Sequence, residues 1–129
     1  MTYHFSKTVE MPFDRAVAAT TDALKKHGFG VLTQIDVKDT LSKKIGVDFR
    51  PYLILGACNP KMAHQALALE DKIGTMLPCN VVVQQRDGNT VEISAVNPVE
   101  SMSAIDNPGL GKIASQVGEL LKQVIAEVH

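Results

Sequence analysis

The most reactive side chains in this sequence are two cysteine thiols. Cys58 ends an apolar run and directly precedes Asn59-Pro60, a pair typical of a helix start. Since the partial positive charge of a helix N-terminus stabilises a thiolate, Cys58 is a candidate for redox exchange or sulfur transfer. The commoner role of cysteine is to fill an apolar core position, and that interpretation stays open for both Cys58 and Cys79.

His64 is a candidate base for the Cys58 thiol. It follows Asn59 by five residues on the predicted helix, but the sequence offers no carboxylate to orient its imidazole, so a structural role is the alternative. Whether Cys58 and Cys79 meet depends on topology. If the strands on either side of this helix run parallel, the sulfurs lie at opposite ends of the sheet, beyond the Cα separation of about 7 Å that a disulfide tolerates.

A second candidate site combines three cationic side chains with a phenol: Lys43, Lys44, Arg50 and Tyr52. Arg50 and Tyr52 are two residues apart on an extended segment, so their side chains point to the same face. A guanidinium group beside a phenol suits a carboxylate or a phosphate. The alternative is a solvated rim in which Arg50 pairs with Asp48.

Several other classes of function find no support in the sequence. The four histidines are scattered singly and the cysteines are not spaced as CxxC, so we predict neither a metal site nor a cofactor. Lys and Arg number 13 against 14 Asp and Glu, and Trp is absent, which argues against nucleic-acid binding. No secretory signal starts the chain, and uncharged stretches such as residues 51–60 are too short to cross a membrane. We therefore expect a cytoplasmic protein without a membrane partner.

The hydrophobic pattern predicts a single α+β domain that spans residues 1–129. Its element order is β-α-β-(short α)-β-α-β-β-α, which is typical of a largely antiparallel sheet covered by helices. The pair Asp87-Gly88 between two apolar runs predicts a hairpin. The last helix begins after Asn107 and carries a continuous apolar stripe wide enough to cover a sheet.

The same patterns give finer expectations about individual elements. A short helix over residues 41–45 would be capped by Asp39 or Thr40. Residues 52–58 are apolar without alternation, which suits a strand buried on both faces. The helix that follows this strand would continue to Gly74.

Two segments carry more specific information than these patterns. Residues 40–64 and residues 77–83 contain the dipeptides Cys58-Asn59 and Cys79-Asn80, and with them nearly the whole chain resembles domain of unknown function family 302. The resemblance implies a curved, mainly antiparallel sheet of about five strands under a long C-terminal helix, in a TATA-binding-protein-like topology. A ferredoxin-like core with an added hairpin and helix satisfies the same element order. The family has no assigned activity, so no catalytic residue is transferred.

These observations favour a binding function over a catalytic one. We expect an accessory module, without catalytic activity of its own, that binds a small anionic ligand through Lys43, Lys44, Arg50 and Tyr52. The alternative is a thiol-dependent redox or sulfur-carrier function that uses Cys58, with His64 or Asn59 assisting. A purely structural or interaction protein is a third interpretation.

The sequence also leads us to expect a homodimer. The apolar stripe of the last helix is explained most simply by contact with the sheet. Val124, Ile125 and Val128 at the end of that stripe are the best candidates for an interface with a second copy.

Overall fold

The computed structural model describes residues 2–129, which form a five-stranded sheet and five helices. In chain order the elements are β1 (His4–Glu10), α1 (Phe13–Lys26), β2 (Gly30–Asp36), α2 (Val37–Ile45), β3 (Tyr52–Cys58), α3 (Pro60–Leu69), β4 (Cys79–Gln85), β5 (Thr90–Val96), α4 (Pro98–Ser101) and α5 (Pro108–Glu127). A 3-10 turn, Ile73–Met76, lies between α3 and β4. The α+β class with a long C-terminal helix is confirmed.

The sheet is open and antiparallel throughout, with the strand order β1-β5-β4-β3-β2. Strands β2 to β5 are sequential neighbours, and α1 carries the chain from the edge strand β1 to the opposite edge strand β2. A ferredoxin-like βαββαβ core would place its first strand inside the sheet, whereas β1 pairs only with β5. The strand order therefore excludes that alternative and leaves the meander under a long helix.

The core lies between one face of the sheet and the helices α1 and α5. Leu55, Val81 and Ile93 point from three neighbouring strands into this layer and are fully buried. The stripe of α5 closes the layer, as predicted from its spacing. Its N-terminus begins where Asn107 Oδ1 accepts a hydrogen bond from Gly109 N at 3.2 Å, also as predicted.

The end of α5 does not provide the predicted dimer interface. Val124, Ile125 and Val128 are all buried within the core of the single chain, because they pack under the sheet together with the rest of the stripe. They are therefore not available to a second copy. The homodimer itself stays a prediction.

A lysine on the core side of β1 is explained by the end of the same helix. Lys7 pairs with Ile93 in the sheet, and its Nζ donates a hydrogen bond of 3.0 Å to the carbonyl oxygen of Ala126. The last carbonyls of a helix lack intrahelical partners and carry partial negative charge, so a cation satisfies them. Lys7 thus connects the edge strand to α5.

Two helices differ in their ends from the sequence prediction. The short helix α2 starts at Val37, since Asp36 and not Asp39 or Thr40 is its N-cap; the Asp36 carboxylate accepts from Asp39 N at 2.9 Å. The middle helix α3 ends at Leu69, where the next residue is extended and Asn107 Nδ2 donates to the Leu69 carbonyl at 3.0 Å. A side-chain donor from the start of α5 thus occupies the C-terminal end of α3.

Strand β3 is buried on one face and only partly covered on the other, so the prediction of burial on both faces is wrong. Tyr52 and Ile54 are half-buried on the side away from the helices. Gly56 is covered there because Thr33 and Pro78 pack against its backbone; a Cβ at Gly56 would overlap the Thr33 hydroxyl and lie 2.7 Å from Pro78 Cγ. Close approach therefore requires glycine at this position.

Over residues 2–129, the helices are all too short or too polar to cross a lipid bilayer.

Candidate functional site

The helices α1 and α5 cover one face of the sheet, and on the other face side chains from all five strands meet. We call it the open face. Register and burial place the following outward-pointing residues on it: His4, Ser6 and Thr8 of β1, Glu92, Ser94 and Val96 of β5, Asn80, Val82 and Gln84 of β4, Tyr52, Ile54 and Gly56 of β3, and Thr33 and Ile35 of β2.

A concavity of about 420 Å³ lies on this face. Tyr3 and His4 line it on the β1 side, and Tyr52 lines it on the β3 side. Three strand spacings separate β1 from β3, so the concavity is about 14 Å wide. This width suits a small molecule that lies across the strands.

The row of residues at one end of the concavity is joined by hydrogen bonds. Gln84 is paired with Tyr52 on one side and with Glu92 on the other. Arg50 Nη2 and Nε donate to Gln84 Oε1 at 2.8 and 3.2 Å, and Arg86 Nη1 donates to the same oxygen at 3.3 Å. Gln84 Nε2 in turn donates to Glu92 Oε1 at 3.3 Å. One amide thus separates two guanidinium groups from a carboxylate.

Arg50 is held against two aromatic rings at the margin of the concavity. Its Cζ lies 4.5 Å from the ring centroid of Phe49 and 5.6 Å from that of Tyr52. The alternative that Arg50 pairs with Asp48 is wrong, because Asp48 pairs with Lys38 Nζ at 3.1 Å. Stacking on aromatic faces restricts the guanidinium without neutralising its charge.

The structure brings Arg50 and Tyr52 together as predicted but does not place the two lysines with them. Lys43 and Lys44 lie in the exposed last turn of α2, where basic residues complement the helix dipole. Lys43 Nζ is 3.0 Å from the carboxylate of Asp39. Neither lysine lines the concavity on the open face.

A second group of polar side chains crosses the open face near β1. His4 Nδ1 lies 2.6 Å from Ser6 Oγ, and Ser6 Oγ lies 2.7 Å from Ser94 Oγ on the neighbouring strand. All three residues line the concavity. Alternation along β1 puts His4 and Ser6 on one face, but no local signal indicates that β5 lies beside β1, so sequence reasoning missed this chain of hydrogen bonds, as it missed Arg86.

The two cysteines lie at the same end of the sheet. Strands β3 and β4 are antiparallel and Ala57 is paired with Cys79, so the parallel arrangement that would separate the sulfurs is not present. Cys58 and Cys79 both line a small apolar cavity of about 40 Å³ between the sheet, α3 and α5. Burial, and to a lesser extent the charge of Cys58, raises the pKa of the Cys79 thiol from 9.0 to about 11. Cys79 is therefore a neutral core thiol at physiological pH.

The residues predicted to assist Cys58 are placed elsewhere or occupied. His64 is exposed on α3 and does not line the cavity that Cys58 lines. Asn59 is the N-cap of α3, and its Oδ1 accepts from Met62 N at 3.3 Å. Half-buried Cys58 thus keeps its position before a helix N-terminus but has no base beside it in the cavity.

The part of the chain that the structure describes, residues 2–129, contains no cluster of three or more His, Cys, Asp or Glu residues with the spacing for a metal ion.

The family model described as "Domain of unknown function DUF302" matches residues 5–128. The chain belongs to the DUF302 family. The fold also matches the crystal structure of an uncharacterized conserved protein DUF302 from Bacillus stearothermophilus, with a TM-score of 0.92, 30% sequence identity and coverage of 100% of both chains. No curated protein matches the sequence. The resemblance to DUF302 is thus confirmed. Family membership indicates the fold of this chain but assigns no function to it.

Proposed function

We propose that this protein binds a small anionic molecule on its open face, without a catalytic step of its own, and that Arg50 and Tyr52 are part of the binding site. The observation that supports this is the convergence of Arg50 and Arg86 on one neutral oxygen, Gln84 Oε1. Within residues 2–129, neither guanidinium forms an ion pair with a carboxylate. Neither arginine lines the concavity itself, but both contact Gln84, which does, so an anion bound at that end would receive charge-assisted hydrogen bonds from both.

The site is preorganised on the side of Arg50. A guanidinium carries five N–H donors, and two of the Arg50 nitrogens are already directed to Gln84. The Phe49 and Tyr52 rings fix its plane. Less side-chain entropy is therefore lost when an anion binds than for a free surface arginine. Lys43 and Lys44 are outside the proposed site, since both lie in the last turn of α2 and Lys43 is paired there with Asp39.

Titration with inorganic phosphate and with hexanoate, followed by calorimetry and by thermal unfolding, tests this proposal. Ligand at ten times its Kd stabilises the folded state by about 1.4 kcal/mol. We expect Arg50→Ala to weaken binding of both anions by about tenfold or more, because a hydrogen bond to a charged group is lost. Arg15→Ala is the matched control, as Arg15 is exposed on α1 on the other side of the sheet.

A second variant, Gln84→Glu, tests the site by adding a competing negative charge instead of removing a positive one. A carboxylate at this position would pair directly with Arg50 and Arg86 and so compete with any bound anion. We expect Gln84→Glu to lower the anion affinity while the fold is kept. Gln116→Glu, at an exposed position of α5, should leave the anion affinity unchanged. Binding that is equal in the wild type and in both open-face variants would refute the site.

A second candidate function is thiol chemistry at Cys58. It is supported by one observation: Cys58 is half-buried beside a cavity and directly precedes the N-cap of α3. The rate at which Cys58 reacts with iodoacetamide in the folded protein tests this candidate. A rate at or below that of the same cysteine in the denatured chain would remove it.

A further inference from the structure

The open face carries an anionic group close to its two guanidinium groups. Glu92 is half-buried on β5, and its Oε1 accepts from Gln84 Nε2. Among residues 2–129, this is the one hydrogen bond found for the Glu92 side chain, so its other oxygen, Oε2, is open to a ligand or to solvent. The Gln84 amide therefore has a cationic pole, Arg50 and Arg86, on its oxygen side and an anionic pole, Glu92, on its nitrogen side.

The two poles are close enough for one small molecule to reach both. One amide group and a hydrogen bond at each of its ends separate them. Arg50 Nη2 and Glu92 Oε1 are therefore at most about 8 Å apart. Both Gln84 and Glu92 line the concavity. A ligand that carried only an anion would bring its charge near Glu92 without compensation, and repulsion would reduce its affinity.

The floor of the concavity beside these poles is partly apolar. Val82 is two residues from Gln84 on the same face of β4, is half-buried and lines the concavity. Ile54, its partner on β3, is half-buried next to it. A short hydrocarbon chain that joined the two charged ends of a ligand would lie over this floor and lose contact with water.

We infer that the ligand of the open face is a small zwitterion, an amino carboxylate whose anionic group binds Arg50 and Arg86 and whose ammonium group binds Glu92. The charges would be about 5 to 8 Å apart, as in ω-amino carboxylates, to match the two poles. This inference rests on the proposed anion site and adds a requirement for a cationic group. It follows from charge complementarity and from the apolar floor beside the poles.

The test compares three probes that share one chain: 6-aminohexanoate, hexanoate and hexylamine. We expect 6-aminohexanoate to bind the wild type at least fivefold more tightly than hexanoate, because Glu92 attracts only the ammonium group. Glu92→Gln keeps the shape and an acceptor for Gln84, and it should remove that preference while leaving hexanoate binding equal or stronger. Glu119→Gln on the exposed surface of α5 is the matched control and should keep the preference.

The outcomes separate this inference from the proposed function. Equal affinity for hexanoate and 6-aminohexanoate overturns the zwitterion and leaves the anion site intact. Tighter binding of hexylamine than of either carboxylate also overturns it. If neither carboxylate nor phosphate binds, the anion site itself is refuted. Amide resonance shifts at Gln84 and Glu92 on addition of 6-aminohexanoate, seen in wild type but not in Arg50→Ala, are expected if the ligand occupies these poles.

Discussion

In the folded protein, alkylation of Cys58 should be much faster than alkylation of Cys79. Cys79 is buried on β4, and burial together with the neighbouring Cys58 raises the pKa of its thiol from 9.0 to about 11. Cys58 is half-buried at the end of β3. Because the thiolate is the nucleophile, iodoacetamide at pH 8 should modify Cys58 and leave Cys79 largely unmodified.

The magnitude follows from the pKa. At pH 8 a thiol with a pKa of about 11 is ionised in roughly one molecule in a thousand, against about one in ten for a thiol of pKa 9.0. Ionisation alone therefore slows the reaction of Cys79 by about a hundredfold relative to the unfolded chain. Its burial between the sheet and the helices adds steric protection, so a hundredfold is a lower bound.

Timed labelling, quenching and peptide mass spectrometry measure the two rates in one sample. Trypsin cleaves after Lys61 and Lys72, which puts Cys58 and Cys79 on different peptides. The same chain in denaturant supplies the reference rate for each cysteine. Cys58→Ala is the control, because it removes the neighbouring charge and should leave Cys79 protected, since burial is the larger cause.

Labelling of Cys79 within a few-fold of its denatured rate would refute this reasoning, since neither burial nor the raised pKa would then hold in solution. The same experiment decides the thiol candidate for Cys58. Faster labelling of Cys58 in the folded protein than in denaturant would indicate an activated thiolate.

Three further predictions concern stability and assembly. The raised pKa of Cys79 favours its neutral form, so the stabilisation from this thiol is present below pH 9 and falls as the pH rises to 11. Between pH 9 and 11 the unfolding free energy of the wild type should therefore fall by about 2 kcal/mol more than that of Cys79→Ala, as measured by urea titration. Gly56→Ala should destabilise by about 1 to 3 kcal/mol through overlap with Thr33, whereas Gly74→Ala, with open space around it, should cost much less. The expected homodimer should show twice the 13.9 kDa chain mass in light scattering, and a monomer mass would contradict it.

Local signals in the sequence were sufficient for most of the elements. The Asn107-Pro108 pair predicts the start of α5 and Asp87-Gly88 predicts the β4–β5 hairpin, because capping and turn formation depend on residues that are neighbours in the chain. The sequence predicts the start of α2 and the end of α3 less accurately. Leu69 ends α3 with help from Asn107, which is 38 residues away, and no local pattern contains that contact.

The candidate site was predicted only where its residues are close in sequence. Arg50 and Tyr52 share a face because they are two residues apart on an extended segment. Gln84 is 34 residues from Arg50, and Ser94 is 88 residues from Ser6, so both contacts depend on the strand order. Strand order is set by the packing of the whole sheet, and hydrophobic alternation in one strand does not specify its neighbours.

The neutral side chain of Gln84, between Arg50 and Arg86, is what would allow the proposed site to bind an anion. A carboxylate between Arg50 and Arg86 would satisfy both guanidinium groups and leave little positive charge for a ligand. Gln84 accepts hydrogen bonds from both arginines through one oxygen and donates one from its amide nitrogen to Glu92. It therefore positions all three charged groups without neutralising any of them. Exposed ion pairs add little stability, which means that the fold does not require these charges to be arranged in this way. The arrangement therefore supports the proposal of a ligand that carries the complementary charges.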